Sequence, residues 1–417
     1  MLYVAAGREL AGLKQAGKRD GIKTACPRKR EEHMTEPDSN PQPDTTEARV
    51  YNRARRWIEI GDLVISFGFL IALLATGWSG TLRDFAVRMG RDHYVFQLFF
   101  YVLLLSLISK ALGIALDFYS FRLEHRFNLS NMRLGTWIKD QIKAWVIGLL
   151  LGTVLAEIVY GLMRTSPEHW WLYAWLIFIV LFILFAQLAP VILFPLFYKF
   201  VPLQNEDLKQ RLMRLGERAG TRIRGVYEWK LSEKSKKANA ALTGLGRTRR
   251  IILADTLLDQ YSNDEIEAVL AHELGHHVHG HMRKIILVEL AVAFLGFWAA
   301  NQVLEYAIHE RHMFQHLTDF ANLPLLVLVF SLLSMLLMPA RNAYSRFTEW
   351  QADIYCWKSV PSITPYVTAM RKLNSQNLSE SRPSRVVEIL FHSHPPVSKR
   401  IAAAEEWARK HRPSLAT

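Results

Sequence analysis

WLYAWLIFIVLFILFAQLAPVILF, residues 171–194, decides the class of fold. The stretch holds no Asp, Glu, Lys or Arg, and it exceeds the ~20 residues that an α-helix needs to cross ~30 Å of hydrocarbon. Trp170, Trp171, Tyr173 and Trp175 crowd one end of it, as aromatics do at a membrane–water interface. Apolar runs near that length recur at 58–78, 95–116, 145–163, 285–306 and 323–338. Helices of soluble proteins seldom reach this length so often, so the chain reads as a polytopic membrane protein.

Outward from those spans, the 417 residues divide by composition. Residues 1–48 are polar, without the apolar run of a signal peptide, and read as a disordered tail. Met34 is an alternative start, which would leave residues 1–33 outside the native protein. Residues 49–199 carry membrane helices one to four, and 284–340 carry five and six. Between them, 200–283 reads as a catalytic segment: a helix over 206–219, then a hairpin in which 238–243 and 249–254 flank Gly244-Leu245-Gly246. A long helix follows, with Asn263 as its expected N-cap and Glu265 and Glu267 in its first turn. Residues 341–417 are mixed and mostly helical, and there is no internal repeat.

Fifty-one Lys and Arg against 38 Asp and Glu leave +13, but the excess sits largely in the tail and in particular loops. Arg122, Arg126, Arg133, Lys139 and Lys143 precede the third span, whereas only Arg164 and Arg311 follow the third and fifth. The positive-inside rule then puts the tail, the 122–143 loop, the 200–283 segment and the C-terminus in the cytoplasm, against a mild objection from Arg83, Arg88 and Arg91. Charge so placed serves topology and removes the nucleic-acid reading of +13. Two cysteines, Cys26 and Cys356, exclude a disulfide framework and a Cys-rich zinc knuckle. A metal would need His and carboxylate ligands.

Such ligands appear in AHELGHHVHGH, residues 271–281. His272 and His276, four apart, fall on one helix face and can grip one zinc. Glu273 stands about 100° round, where it can take a proton from water acidified by the metal. His277, His279 and His281 read as surface or supporting residues. Catalytic zinc usually takes three protein ligands, so one must come from elsewhere. On RNAYSRFTEWQADIYCW, residues 341–357, Glu349, Asp353 and Cys356 share a helix face. Glu349 as ligand with Asp353 orienting a histidine is one reading. Glu349 paired with Arg346 on a solvated face is another, and Cys356 is the remaining ligand candidate.

HELGH, SRFTEWQAD (345–353) and FHSHPP (391–396) together resemble the type I CAAX prenyl endopeptidases, integral-membrane gluzincin metallopeptidases with bacterial relatives. The likeness extends over EHRFNLSNMRLGTWIKDQIK (124–143), PLFYKFVPL (195–203), SKKANAALTGLG (235–246), 249–281 and NLPLLVLVF (322–330). It implies an all-α polytopic membrane protein, about seven helices around a chamber, with a small α+β zinc-metallopeptidase domain. Six spans are clear, and the helix through Glu349, too polar on one face to register, is expected as the seventh. The resemblance further implies one zinc per chain on His272, His276 and Glu349, Glu273 as base and Asp353 behind the ligands. It gives His394 as the oxyanion stabiliser, Arg400 as an arginine facing the site, and Asn239 and Ala240 as the strand that binds substrate backbone. The chain departs from the family at Lys237 to Ala241 and at Thr348, where smaller side chains bear on substrate preference.

These observations lead us to expect a zinc endopeptidase cutting peptide or protein substrates, lipidated or plain, at the cytoplasmic face of a bilayer, either a bacterial inner membrane or the endoplasmic reticulum. A heat-shock-type membrane quality-control protease shares the zinc motif but not the S-H-P-P ending. A metal transporter or an inactive scaffold belongs to a different class. Few ionisable residues interrupt the spans, which argues against transport.

Overall fold

The computed structural model describes residues 45–244 and 249–412. The tail expected over 1–48 lies outside the described residues up to 44, as do Leu245 and Gly246 of the hairpin turn. Helix already begins at Thr46, because Thr45 accepts the Ala48 N–H at 3.1 Å and caps α1 (Thr46–Ala75).

Among the described residues, six helical stretches are long and apolar enough to cross a bilayer. They are α1, α3 (Tyr94–Arg126), α4 (Leu134–Thr165), the run Trp170–Phe197, α10 (His281–His309) and Phe320–Ser359, most of which is α11 (Leu323–Ser359). The fourth consists of α5 (Trp170–Leu188), one π-turn (Ala189–Leu193) and α6 (Phe194–Phe197). Pro190, which has no N–H to donate, sits in that π-turn. Val64, Ile71, Leu150, Val180, Leu287 and Leu336 each expose more than half their surface, an arrangement suited to lipid and costly in water. Inside the bundle, Tyr160 donates to Asn322 Oδ1 and the Trp170 indole to Asn301 Oδ1 (2.7 Å), so these buried polar groups are satisfied. A short helix absent from the sequence reading, α2 (Trp78–Gly90), joins α1 to α3, and its Arg83 is paired with Asp84 and Asp319.

The helix carrying Glu349 is not a separate seventh span. It is the last part of α11, which runs for 37 residues without a break through Pro339, so a boundary at 340/341 falls inside one helix. Polar residues in its second half find partners on α13 (Arg385–Phe391) and just beyond: Asn342 donates to Leu390 C=O (2.7 Å), and Arg346 to Glu388 C=O (2.9 Å) and His392 C=O (2.7 Å). Those bonds let the helix continue past the point where its hydropathy fails.

The peptidase part is built on a four-stranded sheet, β1 (Phe200–Pro202), β2 (Gly225–Trp229), β3 (Ala240–Thr243) and β4 (Arg250–Ala254), in the order β1-β2-β4-β3. Only β2 and β4 are parallel; β3 pairs antiparallel with β4, Ala240 opposite Leu253, and forms an outer edge. Around it lie α7 (Glu206–Arg218), the single turn α8 (Asp255–Leu258), α9 (Asn263–Val278), α12 (Thr364–Gln376) and α14 (Val397–His411). Leu212, Ile251, Leu253, Leu270, Leu274 and Tyr366 are the middle of one core shared by sheet and helices. The N-cap of α9 is Ser262 and not Asn263: Ser262 and Glu265 exchange both bonds of a capping box.

Candidate metal centre

Two helices bring the ligand candidates together. His272 and His276 stand one turn apart on α9, and Glu349 faces them from α11. Glu349 Oε1 lies 3.2 Å from His276 Nε2, Glu349 Oε2 lies 3.3 Å from His272 Nε2, and the two imidazole Nε2 atoms are 3.3 Å apart. One ligand atom from each of the three residues falls within 4.8 Å of the others, a spacing that can hold one divalent metal ion. Gly275 makes this possible, because a Cβ there would sit 2.8 Å from Ala352 Cα and 2.9 Å from its carbonyl oxygen. Only a bare backbone lets α9 approach α11 so closely.

The donor set fits a cation. Glu349 Oε2 is buried and faces only nitrogens, His394 Nδ1 at 3.0 Å and His272 Nε2 at 3.3 Å. Burial disfavours a charged His272, yet the carboxylates of Asp353 and Glu349 beside it outweigh that penalty and raise its pKa to about 9. A place where two carboxylates draw positive charge onto a buried imidazole is suited to a dication.

Behind the ligands, each histidine is held by its other nitrogen. Asp353, fully buried, takes His272 Nδ1 at 2.9 Å and is itself gripped by Arg400 through two bonds of 2.6 and 2.8 Å. Arg400 is 7% exposed and lies behind the carboxylates, 3.6 Å from Glu349 Oε2. His276 Nδ1 meets His281 Nδ1 at 3.0 Å, and His281 Nε2 meets Gln351 Oε1 at 2.8 Å. Of its two readings His281 takes the supporting one, 1% exposed behind His276, with His279 stacked on it. Cys356 stands apart from the cluster, its buried thiol donating to Ala268 C=O at 3.2 Å. Arg346 turns to the carbonyls near α13, so the surface pairing with Glu349 does not form.

The remaining residues of interest surround this centre. His394, on the loop between α13 and α14, keeps 63% of its side chain exposed beside Glu349. Glu273 follows His272 on α9 and is partly exposed. Asn239 is exposed and leads into β3, which Ala240 begins.

A multi-pass membrane bundle whose peptidase domain converges H-E-x-x-H and a carboxylate from the next long helix defines an integral-membrane metallopeptidase. The chain belongs to peptidase family M48: residues 202–408 match that family, and residues 24–199 match the family described as CAAX prenyl protease N-terminal, five membrane helices. It is 31% identical over 364 residues to the uncharacterized metalloprotease YhfN of Bacillus subtilis, covering 86% of this chain and 85% of that one. CAAX prenyl protease 1 of Saccharomyces cerevisiae is 28% identical over 342 residues, 78% of this chain and 75% of the relative. The crystal structure of S. mikatae Ste24p superposes with a TM-score of 0.78 at 25% identity, covering 86% of this chain and 88% of that chain. Fold, metal cluster and relatives agree on a membrane-embedded, zinc-dependent peptide hydrolase of the CAAX protease type.

Proposed function

We propose that the protein holds one zinc ion per chain on His272, His276 and Glu349 and cleaves membrane-associated peptides, CAAX sequences with a lipidated cysteine among them, at the cytoplasmic face. The buried Glu349 carboxylate, with Oε2 facing His272 Nε2 and Oε1 facing His276 Nε2, carries the metal assignment. When bound, zinc supplies a Lewis-acid charge that acidifies water and polarises a carbonyl. Glu273, one residue past the first ligand, receives the proton from the attacking water and returns it to the leaving amine. His394 reaches the rim of the site and donates a hydrogen bond to the oxyanion. Asp353 and Arg400 act by position: they fix the ring of His272 and keep its Nε2 aimed at the centre. Asn239 leads into β3 and Ala240 presents its open edge, to which an extended peptide adds as a further strand. The basic residues at 122–143 support a cytoplasmic site.

Glu273→Gln tests the enzyme reading directly. Zinc content stays at wild-type level and hydrolysis of a membrane-tethered peptide falls by at least ~100-fold, the usual scale of a lost general base. His394→Ala likewise keeps zinc and slows turnover. Wild-type cleavage by Glu273→Gln refutes the mechanism.

A further inference from the structure

The outer edge of β3 is closed at one end and open at the other. Backbone groups alternate sides along a strand. Asn239 turns its carbonyl to β4, accepting from Ala254 N–H at 3.0 Å, and Lys237 C=O on the same side accepts from Thr256 Oγ1 at 2.7 Å. Lys236, Ala238, Ala240 and Leu242 therefore direct theirs outward. Lys236 is already engaged there, its N–H donating to Leu129 C=O (2.9 Å) and its C=O accepting from Gln376 Nε2 (2.8 Å). Ala238 is engaged too: its N–H donates to Asn377 Oδ1 at 3.0 Å and its C=O accepts from Asn377 Nδ2 at 3.2 Å. One side-chain amide imitates a neighbouring strand for the length of one residue. The outward groups of Ala240 and Leu242 have no such partner among the described residues.

Asn377 is held firmly in that position. Its own N–H closes α12 on Leu373 C=O (3.0 Å), and the next residue, Leu378, at φ +47°, accepts from Asn52 Nδ2 of α1 at 2.7 Å. Membrane helix and peptidase domain both anchor the amide.

We propose that Asn377 is the stop of the peptide-binding edge and a specificity-determining residue. The proposal rests on the reading of β3 as the substrate strand. Antiparallel addition is the more stable pairing, so a docked peptide bonds to Leu242 and Ala240 in turn, with its C-terminal end running toward Asn377. After the residue bonded to Ala240, about one further residue fits in strand register; the next meets the Asn377 amide, where Ala238 has nothing left to offer. Asn377 thereby restricts how much chain follows the docked segment and selects peptides near their C-termini.

The test uses purified, zinc-loaded full-length protein and a quenched fluorescent peptide ending in a farnesylated CAAX sequence. The same peptide is also extended by one to four alanines at its C-terminus or at its N-terminus. Wild-type kcat/KM falls roughly tenfold or more with C-terminal extension, the worth of about two backbone hydrogen bonds, and is unaffected at the N-terminus. Asn377→Ala, with zinc retained, narrows that difference to within about threefold, since the obstructing amide is gone. An extension series identical in wild type and variant overturns the proposal, as does sensitivity at the N-terminal end. Should Asn377→Ala lose zinc, Asn377→Ser is read instead, because its hydroxyl can still serve Ala238; loss of zinc in both makes Asn377 a fold residue and also overturns the proposal. Failure of the underlying reading looks different: no peptide is cleaved, or N-methylation of the peptide backbone leaves cleavage unchanged.

Discussion

Adding a single methyl group at Gly275 should dismantle the metal centre without touching a ligand. In Gly275→Ala the new Cβ would lie 2.8 Å from Ala352 Cα, 2.9 Å from its oxygen and 3.2 Å from its Cβ. Ordinary carbon contacts sit at about 3.5–4.0 Å, so α9 and α11 must part by roughly 0.7–1 Å. His272 and His276 ride on one of these helices and Glu349 on the other, whereas zinc sites hold their distances to about 0.2 Å. Overpacking of this kind costs about 1–3 kcal/mol, or about 5- to 150-fold in affinity if the loss falls on zinc. An opposing effect fixes the meaning of the sign: alanine gains about 0.8–1 kcal/mol over glycine in a helix interior, so without the contact the variant would be the more stable protein. Chelator competition reports zinc affinity, thermal unfolding in detergent reports stability, and Gly113→Ala, where a Cβ meets nothing within 4 Å, is the control. Wild-type zinc affinity together with raised stability in Gly275→Ala would refute the argument that this close approach sets the ligand geometry.

Three further outcomes follow from the same centre. His281→Ala removes the partner of His276 Nδ1 and should weaken zinc binding about 10- to 100-fold by competition titration, with the fold intact; unchanged affinity would make the His281 to Gln351 relay incidental. Burial pulls the His272 pKa down, but Asp353 and Glu349 carry it up to about 9, above the ordinary ~6.5. The metal-free protein therefore has this contribution in full below about pH 6.5 and loses it as pH rises through 9, while zinc affinity climbs over the same window. Unfolding of chelator-treated protein at pH 6 and 9.5 measures it, and a flat or rising profile contradicts it. Reporters fused after Thr417 and within α7 should both read cytoplasm; opposite compartments would break the assignment of sides.

Much of the molecule is legible in its sequence wherever one local property decides. The spans announce themselves because lipid demands about twenty apolar residues in a row, and His272 and His276 because helix periodicity puts spacing four on one face. What escapes depends on residues remote from one another. Hydropathy collapses at Pro339, Arg341 and Asn342, so α11 reads as two elements, yet carbonyls near α13 hold the polar half in one helix. His281 is off the ligand face of an ideal helix; it returns to His276 only because α9 ends at Val278 and Gly280 takes φ +66°. A glycine just past a histidine-rich helix is the signal that could have found it. The Ser262 and Glu265 capping box was also there to be read, three residues apart. Nothing local marks Gln351 as a partner of His281, or Asn377 as a partner of Ala238, since each pairing exists only after the chain has folded across 70 or 139 residues.

The unbroken α11 turns the membrane into a ruler. Glu349 is borne by the same rigid rod that lies among the lipids some turns earlier, so its height above the bilayer's midplane is fixed by rise per residue and tilt rather than by a hinge. The scissile bond of any substrate anchored in the same bilayer must then lie at one depth, and a thinner or thicker membrane would shift which bond that is. For the same reason the catalytic part cannot be cut free: a soluble fragment would have to sever the helix that supplies its third ligand.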